Sequence, residues 1–212
     1  MAIQWIDMAH YPRRQQFDYF RSLPYPYVGV TVDVDATGAF RFSRALGRSF
    51  YLTTLHAVAL AADNVDALRQ RIRGDGIVEY SECPTSHVEA VDGEGYCYCT
   101  LHHHMDIDEY FERAEAARRT CAENGITEDS DVESMYFIST LPWLRYTSLI
   151  QPVAGGDESN PRITWGKYQR EPSGRIVMPV SILAHHALVD GLQIARFYQN
   201  LDEEMQRLNS ML

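Results

Sequence analysis

Hydrophobic residues recur along the chain with two periods, one typical of strands and one typical of helices. Between residues 28 and 34 every second residue is valine and the others are small or polar, which predicts a half-buried strand. From residue 188 to the end, apolar residues return every three or four positions, which predicts a closing helix of about six turns. The same patterns predict further helices at residues 11–23, 50–65 and 107–121. They predict further strands at residues 76–82, 87–91, 95–103, 135–140, 147–152, 162–169 and 175–184.

The order of these elements indicates a fold class. Strands occur in runs rather than alternating one for one with helices, and the chain has no GxGxxG or P-loop pattern, so a Rossmann-like parallel sheet is disfavoured. We therefore expect an α/β two-layer sandwich, in which helices cover a mixed, largely antiparallel sheet. The polar stretches 123–134 and 153–161 are typical of surface loops. The length of 212 residues favours a single domain over residues 1–212.

Composition and charge exclude several classes of protein. Hydrophobic residues make up 45% of the chain and charged residues 23%, which is ordinary for a globular domain with its own core. The chain has 19 basic and 29 acidic residues, and its net charge of −10 has the wrong sign for binding nucleic acid by bulk electrostatics. The first seven residues do not resemble a signal peptide, and the nearly apolar stretch 55–62 is too short to cross a bilayer. We expect a cytoplasmic protein with neither a nucleic-acid nor a membrane partner.

The cysteines do not indicate a zinc or redox site. They are spaced without the paired CxxC pattern of such sites, at Cys83, Cys97, Cys99 and Cys121. A cytosolic core of this size can hold reduced thiols as small hydrophobic side chains. We expect all four cysteines to be structural and reduced.

The most informative segment is a mostly apolar strand that runs into His185 and His186, followed by Asp190 and Gly191. Burial at a strand end disfavours the charged imidazolium, and a neutral imidazole can accept a proton as a general base. Because side chains alternate along a strand, the two histidines should face opposite sides, so at most one lines a given site. Asp190 precedes the closing helix, where a carboxylate can cap the helix or bind a cation. The alternative is two structural histidines and a simple helix cap.

This segment resembles the signature of the chloramphenicol acetyltransferase family. Its HxxxDG part also occurs in dihydrolipoyl acyltransferases and condensation domains, but a condensation domain needs about twice this length and no lipoyl segment precedes the motif. Further motifs match the family in the same order along most of the chain. They are Pro12-Arg13-Arg14 with Phe17, Ile138-Ser139-Thr140-Leu141-Pro142-Trp143, Thr164-Trp165-Gly166-Lys167-Tyr168-Gln169, and Ala195-Arg196-Phe197 after the histidine motif.

The resemblance implies the fold of CoA-dependent acyltransferases and a reaction for this chain. Acetyl-CoA is the co-substrate, and His186 removes a proton from an acceptor hydroxyl, which attacks the thioester directly in a ternary complex. Ser139 donates a hydrogen bond to the oxyanion, and Thr164 orients a bound water. The family also implies a homotrimer with active sites at the subunit interfaces. From the residues alone, Ser139 is better explained as a strand-end serine bonded to the backbone, and Thr164 as an ordinary strand threonine.

The resemblance also assigns supporting and binding residues. Asp190 pairs with Arg13 of the opening helix and holds the turn that carries the base, and the loss of either partner of a buried pair costs several kcal/mol. Lys167 lies near the CoA phosphates, whereas the family's other CoA-associated lysine is Ser49 here.

The acceptor pocket departs from the family pattern. Phe20 replaces a tyrosine that hydrogen-bonds the antibiotic in the family. Tyr96-Cys97-Tyr98-Cys99 aligns with a stretch where the family has Phe-Ser-Ala-Leu, and Tyr98 in place of alanine would fill pocket volume. Two alternatives therefore stay open: an O-acyltransferase for a different acceptor, and a non-catalytic ligand-binding relative.

Two other groups of residues suggest different chemistry. His102, His103 and His104 could hold a metal, but consecutive strand residues alternate faces, so we expect no metal site. Ser139, His186 and Asp190 could form a hydrolase triad, yet Ser139 lacks the GxSxG elbow.

Overall fold

The computed structural model describes residues 2–90, 95–124 and 131–212. The strands are β1 (Ile3–Trp5), β2 (Tyr27–Asp35), β3 (Gln70–Arg73), β4 (Gly76–Tyr80), β5 (Thr85–Ala90), β6 (Tyr96–Leu101), β7 (Tyr136–Leu141), β8 (Arg162–Gly166), β9 (Gln169–Arg170) and β10 (Ile176–His185). The helices are α1 (Arg14–Arg21), α2 (Thr37–Ala45), α3 (Phe50–Asp63), α4 (Ile107–Asn124) and α5 (Gly191–Ser210), with single 3-10 turns at Asp66–Leu68 and Val132–Ser134. None of the described helices combines the length and the apolar composition needed to cross a bilayer.

The strands form two sheets. The larger has the order β2-β10-β8-β7-β5-β6, with β9 paired to β10, and the smaller has the order β1-β4-β3. Pairing is antiparallel except where β7 lies parallel to both β5 and β8. The expected mixed, largely antiparallel sheet covered by helices is therefore confirmed.

The helices α2, α3 and α5 pack against one another and supply much of the hydrophobic core. Almost every residue of α3 is buried, which explains why its sequence is apolar on all sides. The packing of α2 on α5 is close at Gly38, where an added Cβ would lie 1.8 Å from the carbonyl oxygen of Met205. Only glycine fits there, so this position fixes the distance between the two helices.

Some elements differ from the sequence-based expectation. The predicted strand at residues 147–152 is wrong: this segment is a loop, and its most apolar residue, Ile150, is 92% exposed. The pattern did not predict β1, β3 or α2, because β1 and β3 are too short to show alternation and α2 buries small residues such as Gly38 and Ser43. Residue 91 of the predicted strand 87–91 and residues 125–130 of the predicted loop 123–134 lie outside the described residues.

One expectation about the cysteines is also wrong. Cys97 on β6 and Cys121 on α4 form a disulfide, with their Cα atoms 5.9 Å apart. The helix α4 packs on β6, which brings together two residues that are 24 positions apart in the sequence. Cys83 and Cys99 take no part in this disulfide and are buried.

Candidate active site

The turn between β10 and α5 fixes His186 in one tautomer. Its backbone N–H donates to the carbonyl of Pro26 at 2.7 Å, and its ring Nδ1 lies 2.8 Å from the carbonyl oxygen of Val189. A carbonyl can only accept, so Nδ1 carries the proton and Nε2 carries a lone pair. Among the described residues, none forms a hydrogen bond with Nε2. In the neutral imidazole, Nε2 is therefore the nitrogen that can accept a proton, as a general base must.

An aromatic ring restricts the orientation of His186. Phe20 of α1 stacks on the imidazole, with ring centroids 3.7 Å apart and the planes inclined by 23°. Both residues are half-buried. The stack shields one face of the imidazole from water and limits rotation of the ring.

His185 has different surroundings from its neighbour, as strand alternation predicts. It is 1% exposed, and its Nε2 donates to the carbonyl of Gly156 at 2.7 Å. Its Nδ1 accepts from the N–H of Ala187 at 3.2 Å. Burial lowers the pKa of this imidazole, so it is neutral. With both nitrogens engaged, His185 is a structural residue.

Arg13 and Asp190 hold the turn from outside. The Arg13 guanidinium lies 3.4 Å from the Asp190 carboxylate, and it also donates to the carbonyls of Leu188 and, at 3.5 Å, His186. Asp190 also caps α5, since its carboxylate accepts from the N–H of Leu192 at 2.9 Å. The predicted pairing and the simpler capping role of Asp190 are thus both present. The pair is only partly buried, because the Asp190 side chain is 40% exposed.

Ser139 and Thr164 lie in a row of hydroxyl groups that crosses four strands, which we call the hydroxyl row. Ser139 of β7 is paired with Thr164 of β8, Thr164 with Ser181 of β10, and Ser181 with Thr31 of β2. The Ser181 and Thr31 hydroxyls are 2.7 Å apart, so these side chains share one face. Within the part of the chain that is described, the Ser139 hydroxyl has no hydrogen-bond partner.

The Thr164 hydroxyl already has a partner that sequence reasoning missed. Gln151 donates its side-chain amide to Thr164 Oγ1 at 2.5 Å. Thr164 is 1% exposed and its carbonyl accepts from the Tyr146 hydroxyl at 2.9 Å. No local pattern could have indicated Gln151, because it lies in the loop that the sequence misassigned as a strand.

A cavity of about 870 Å³ adjoins one end of the hydroxyl row. Ser139, Lys167 and Tyr96 line it, while Thr164, Phe20 and Tyr98 are not part of its wall. Sequence reasoning also missed two charged residues of this wall, Glu89 and Arg118, which pair at 3.1 Å. These two residues gave no motif by which they could have been found.

Within one chain, the base and the cavity lie apart. Thr164 is paired with Ser181, and His186 follows Ser181 by five residues along β10 and its turn. At about 3.3 Å per residue in extended backbone, the Cα atoms of Ser181 and His186 are up to roughly 16 Å apart. The predicted residues thus fall in two groups, Ser139, Thr164, Tyr96 and Lys167 around the cavity, and His186, Phe20, Arg13 and Asp190 around the turn.

The residues His103 and His104 do not behave as expected. Both rings contact the carboxylate of Asp63, at 3.0 and 2.7 Å, although alternation along a strand was expected to separate them. The expectation is wrong because β6 ends at Leu101, before the histidines begin. His102 does diverge, and its Nδ1 lies 3.5 Å from Glu82.

Comparison with known proteins gives one consistent result. The model of the family described as chloramphenicol acetyltransferase matches residues 1–202. Chloramphenicol acetyltransferase 3 from Escherichia coli is 28% identical over 208 residues, covering 93% of this chain and 94% of that protein. The chloramphenicol acetyltransferase of Streptomyces acrimycini is 28% identical over 209 residues, covering 96% and 92%.

Solved structures agree with this match at the level of the fold. A structure of a chloramphenicol acetyltransferase superposes with a TM-score of 0.85 at 24% identity, covering 96% of this chain and 100% of the other. A probable dihydrolipoamide acetyltransferase from Listeria monocytogenes has a TM-score of 0.69 at 15% identity, with 93% and 92% covered. The chain is an acetyltransferase enzyme and belongs to the chloramphenicol acetyltransferase family.

Proposed function

We propose that the protein transfers the acetyl group of acetyl-CoA to a hydroxyl of chloramphenicol or of a related small acceptor, with His186 as the general base. The observation that carries this proposal is the hydrogen bond from His186 Nδ1 to the Val189 carbonyl, which leaves the Nε2 lone pair available. The acceptor hydroxyl gives its proton to Nε2 while its oxygen attacks the thioester carbonyl. Acceptor and acetyl-CoA are bound together, so no acyl-enzyme forms. The whole chain acts as one catalytic domain, residues 1–212.

Ser139 has the position and the unengaged hydroxyl needed to donate a hydrogen bond to the oxyanion. Attack on the thioester places negative charge on the carbonyl oxygen, and a preorganised donor there stabilises the transition state by about 3 kcal/mol. Ser139 lines the cavity and its hydroxyl is not engaged by any described residue. Thr164 orients a water at the same end of the hydroxyl row, and its bond with Gln151 sets the direction of its hydroxyl. Collapse of the intermediate releases CoA as the free thiol.

The cavity offers a place for CoA. Lys167 is exposed at its wall, where a cation can meet a phosphate group. Ser49 lines the same cavity where the family has a second lysine, and its hydroxyl instead caps α3 by accepting from the N–H of Leu52 at 3.3 Å. We propose that Lys167 provides the main charged contact to CoA. The reaction uses no metal.

The active site is shared between chains. His186 does not line the cavity of its own chain, and the backbone between Ser181 of the hydroxyl row and His186 spans up to roughly 16 Å, so a single chain is not expected to complete the site. A neighbouring copy that supplies His186 to the cavity resolves this separation, and a cyclic trimer forms three such sites. Two apolar side chains beside the cavity, Trp143 at 77% and Leu144 at 58%, are exposed in the single chain and suit such a contact.

Three aromatic side chains bear on the identity of the acceptor. Phe20 has no hydroxyl to hydrogen-bond an acceptor, and it instead stacks on His186. Tyr96 lines the cavity and contacts Tyr98, with ring centroids 5.6 Å apart. These side chains favour a compact, partly aromatic acceptor. A different alcohol as acceptor is the alternative that Phe20 supports.

A thiol-release assay tests the reaction. Free CoA is measured with acetyl-CoA and either chloramphenicol or a panel of other alcohols, for the wild type, His186→Ala and His102→Ala. His102 is an exposed histidine outside the site, so its variant is the matched control. We expect the wild type and the control to release CoA at equal rates, and His186→Ala to be slower by about 10³-fold.

Other outcomes distinguish the alternatives. Turnover of another alcohol but not of chloramphenicol changes the acceptor and keeps the mechanism. Tight binding without CoA release identifies a non-catalytic relative, and a stable acetyl adduct on Ser139 identifies a hydrolase-like acyl-enzyme. Equal rates for the wild type and His186→Ala remove His186 from the reaction.

A mixing experiment tests the shared site. His186→Ala and Ser139→Ala subunits are each expected to be nearly inactive as pure proteins. Trimers reassembled from an equal mixture regain about a quarter of the wild-type activity, because that fraction of interfaces has both an intact base and an intact serine. If each chain holds its own complete site, mixing restores no activity.

A further inference from the structure

A second cluster of chemistry-bearing side chains lies away from the proposed active site. It consists of Asp63, His103 and His104, and we call it the Asp63 cluster. The Nε2 atoms of His103 and His104 lie 3.0 and 2.7 Å from the same carboxylate oxygen, Asp63 Oδ2. All three ligand atoms lie within 4.8 Å of one another. None of these residues lines the cavity that contains Ser139.

The fold holds this cluster firmly. Asp63 is the last residue of α3, and the histidines follow β6, so two separate elements converge there. The other carboxylate oxygen, Oδ1, accepts from the hydroxyl of Tyr136 at 2.6 Å and from the N–H of Cys83 at 3.2 Å. Asp63 is only 4% exposed. Oδ2 contacts the two imidazoles and, at 3.4 Å, the N–H of Cys83, so the carboxylate is held mainly through Oδ1 and has the arrangement of a supported metal ligand.

The histidines also border a space that can admit water. His103 and His104 line a cavity of about 390 Å³, together with His56 of α3. His56 is 3% exposed, and neither of its ring nitrogens has a hydrogen-bond partner among the described residues. A buried imidazole without a partner is unusual, because such groups normally find one. A water or other small ligand held in this cavity would satisfy it.

We propose that the Asp63 cluster binds a divalent transition metal ion such as Zn²⁺. Two imidazole nitrogens and one carboxylate oxygen are three ligands that zinc accepts, and the cavity leaves a fourth position open to water. Ligands at 2.0 to 2.1 Å in a tetrahedral site lie about 3.3 Å apart, so only a small widening of the contacts to Asp63 is needed. When the ion binds, the N–H of each neutral imidazole is on Nδ1, so that each Nε2 presents its lone pair to the metal in place of its contact with Asp63. The site links the end of α3 to the segment after β6 and serves stability rather than acetyl transfer.

Cobalt binding tests the site directly. Chelator-treated wild-type protein, kept without reductant so that the Cys97–Cys121 disulfide is intact, is titrated with Co²⁺ and then with competing Zn²⁺. Visible absorbance reports the coordination, and thermal unfolding with and without Zn²⁺ reports stabilisation. The variants are His104→Ala, Asp63→Asn and, as a matched control, His102→Ala. His104 is 46% and His102 49% exposed, so both alanine variants are expected to fold.

We expect one Co²⁺ per wild-type chain, no thiolate charge-transfer band, and a higher unfolding temperature with Zn²⁺. His104→Ala weakens binding at least tenfold. His102→Ala binds like the wild type. Acetyl transfer is the same before and after chelation, so this outcome is separate from the test of the proposed function.

Three results would overturn the proposal: no binding to the wild type at up to millimolar Co²⁺, equal binding by the wild type and His104→Ala, or a spectrum dominated by thiolate ligands. The third result would place the ion at the cysteines around Cys99. Asp63→Asn is a second, independent test of the site, because it keeps the shape of the side chain and removes its charge. It should also weaken the binding of Co²⁺.

Discussion

Replacement of Asp190 separates two functions of one carboxylate, the helix cap and the ion pair with Arg13. Asparagine caps a helix about as well as aspartate, so Asp190→Asn removes the charge and keeps the cap. The pair has an N–O distance of 3.4 Å and Asp190 is 40% exposed, so we expect its loss to lower the free energy of unfolding by less than about 1 kcal/mol. Asp190→Ala also loses the cap, which adds about 1 kcal/mol.

Arg13 is the more important partner in this arrangement. Its side chain is 17% exposed and donates to the carbonyls of Leu188 and His186 as well as to Asp190. Hydrogen bonds from a charged group contribute about 1.5 to 3 kcal/mol each, so Arg13→Met should cost more than either Asp190 variant. We therefore expect the ion pair between Arg13 and Asp190 to contribute less than the several kcal/mol expected for a buried pair. The hydrogen bonds from Arg13 to the two carbonyl groups contribute more to stability than the ion pair does.

Two assays check this order. Urea unfolding at one fixed protein concentration gives the stability of Arg13→Met, Asp190→Asn, Asp190→Ala and the Arg13→Met/Asp190→Asn double variant. The rate of CoA release reports the position of His186, and a displacement of about 1 Å in the turn would slow it by about 10²-fold. If Asp190→Asn is as destabilising as Arg13→Met, the ion pair holds the turn and our reasoning is refuted.

Three further predictions concern other parts of the molecule. Ser139→Ala should lower kcat by about 10² to 10³-fold with unchanged unfolding, measured by CoA release and urea titration. Burial lowers the pKa of His87 from 6.5 to about 4, so between these values the folded protein binds fewer protons than the unfolded chain. His87 should therefore lower the free energy of unfolding by about 2 kcal/mol as the pH falls from 7 to 5. In His87→Phe, the free energy of unfolding should depend less on pH over this range. Gly38→Ala should destabilise by about 2 kcal/mol or more through the clash with Met205, while Gly191→Ala, which meets nothing within 4 Å, should not.

The elements that could be predicted are those whose pattern is local. The alternating valines of β2 and the three-to-four spacing of α5 follow from contacts with one sheet face and one helix face. The turn at His186 is predictable because His186, Asp190 and Gly191 form one short motif, and the hydrogen bond to Val189 and the cap at Asp190 lie within the same five residues. Arg13 was added only through the family resemblance, since nothing local connects it to a residue 177 positions away.

The features that were missed depend on residues that are distant in sequence. Gln151 reaches Thr164 from a loop whose apolar residues had suggested a strand. Asp63 contacts His103, which is 40 positions away in the sequence, and the adjacent His104. The sequence pattern had extended β6 to residue 103, two residues beyond its end at Leu101. Periodicity reports which face of an element is buried, but it does not report which other element covers that face.

The residues of the proposed active site fall into two groups because of the geometry of β10. β10 carries Ser181 in the hydroxyl row and leads to His186 at its end, and the extended backbone cannot shorten the roughly 16 Å between them. Because His186 does not line the cavity of its own chain, we propose that the base and the hydroxyl row that act on one substrate come from different copies. Each half is nevertheless built by near neighbours, the turn by residues 186–190 and the row by paired strands. In the proposed trimer a neighbouring copy completes the site without a change in either half, so we expect loss of assembly to abolish activity while leaving the fold intact.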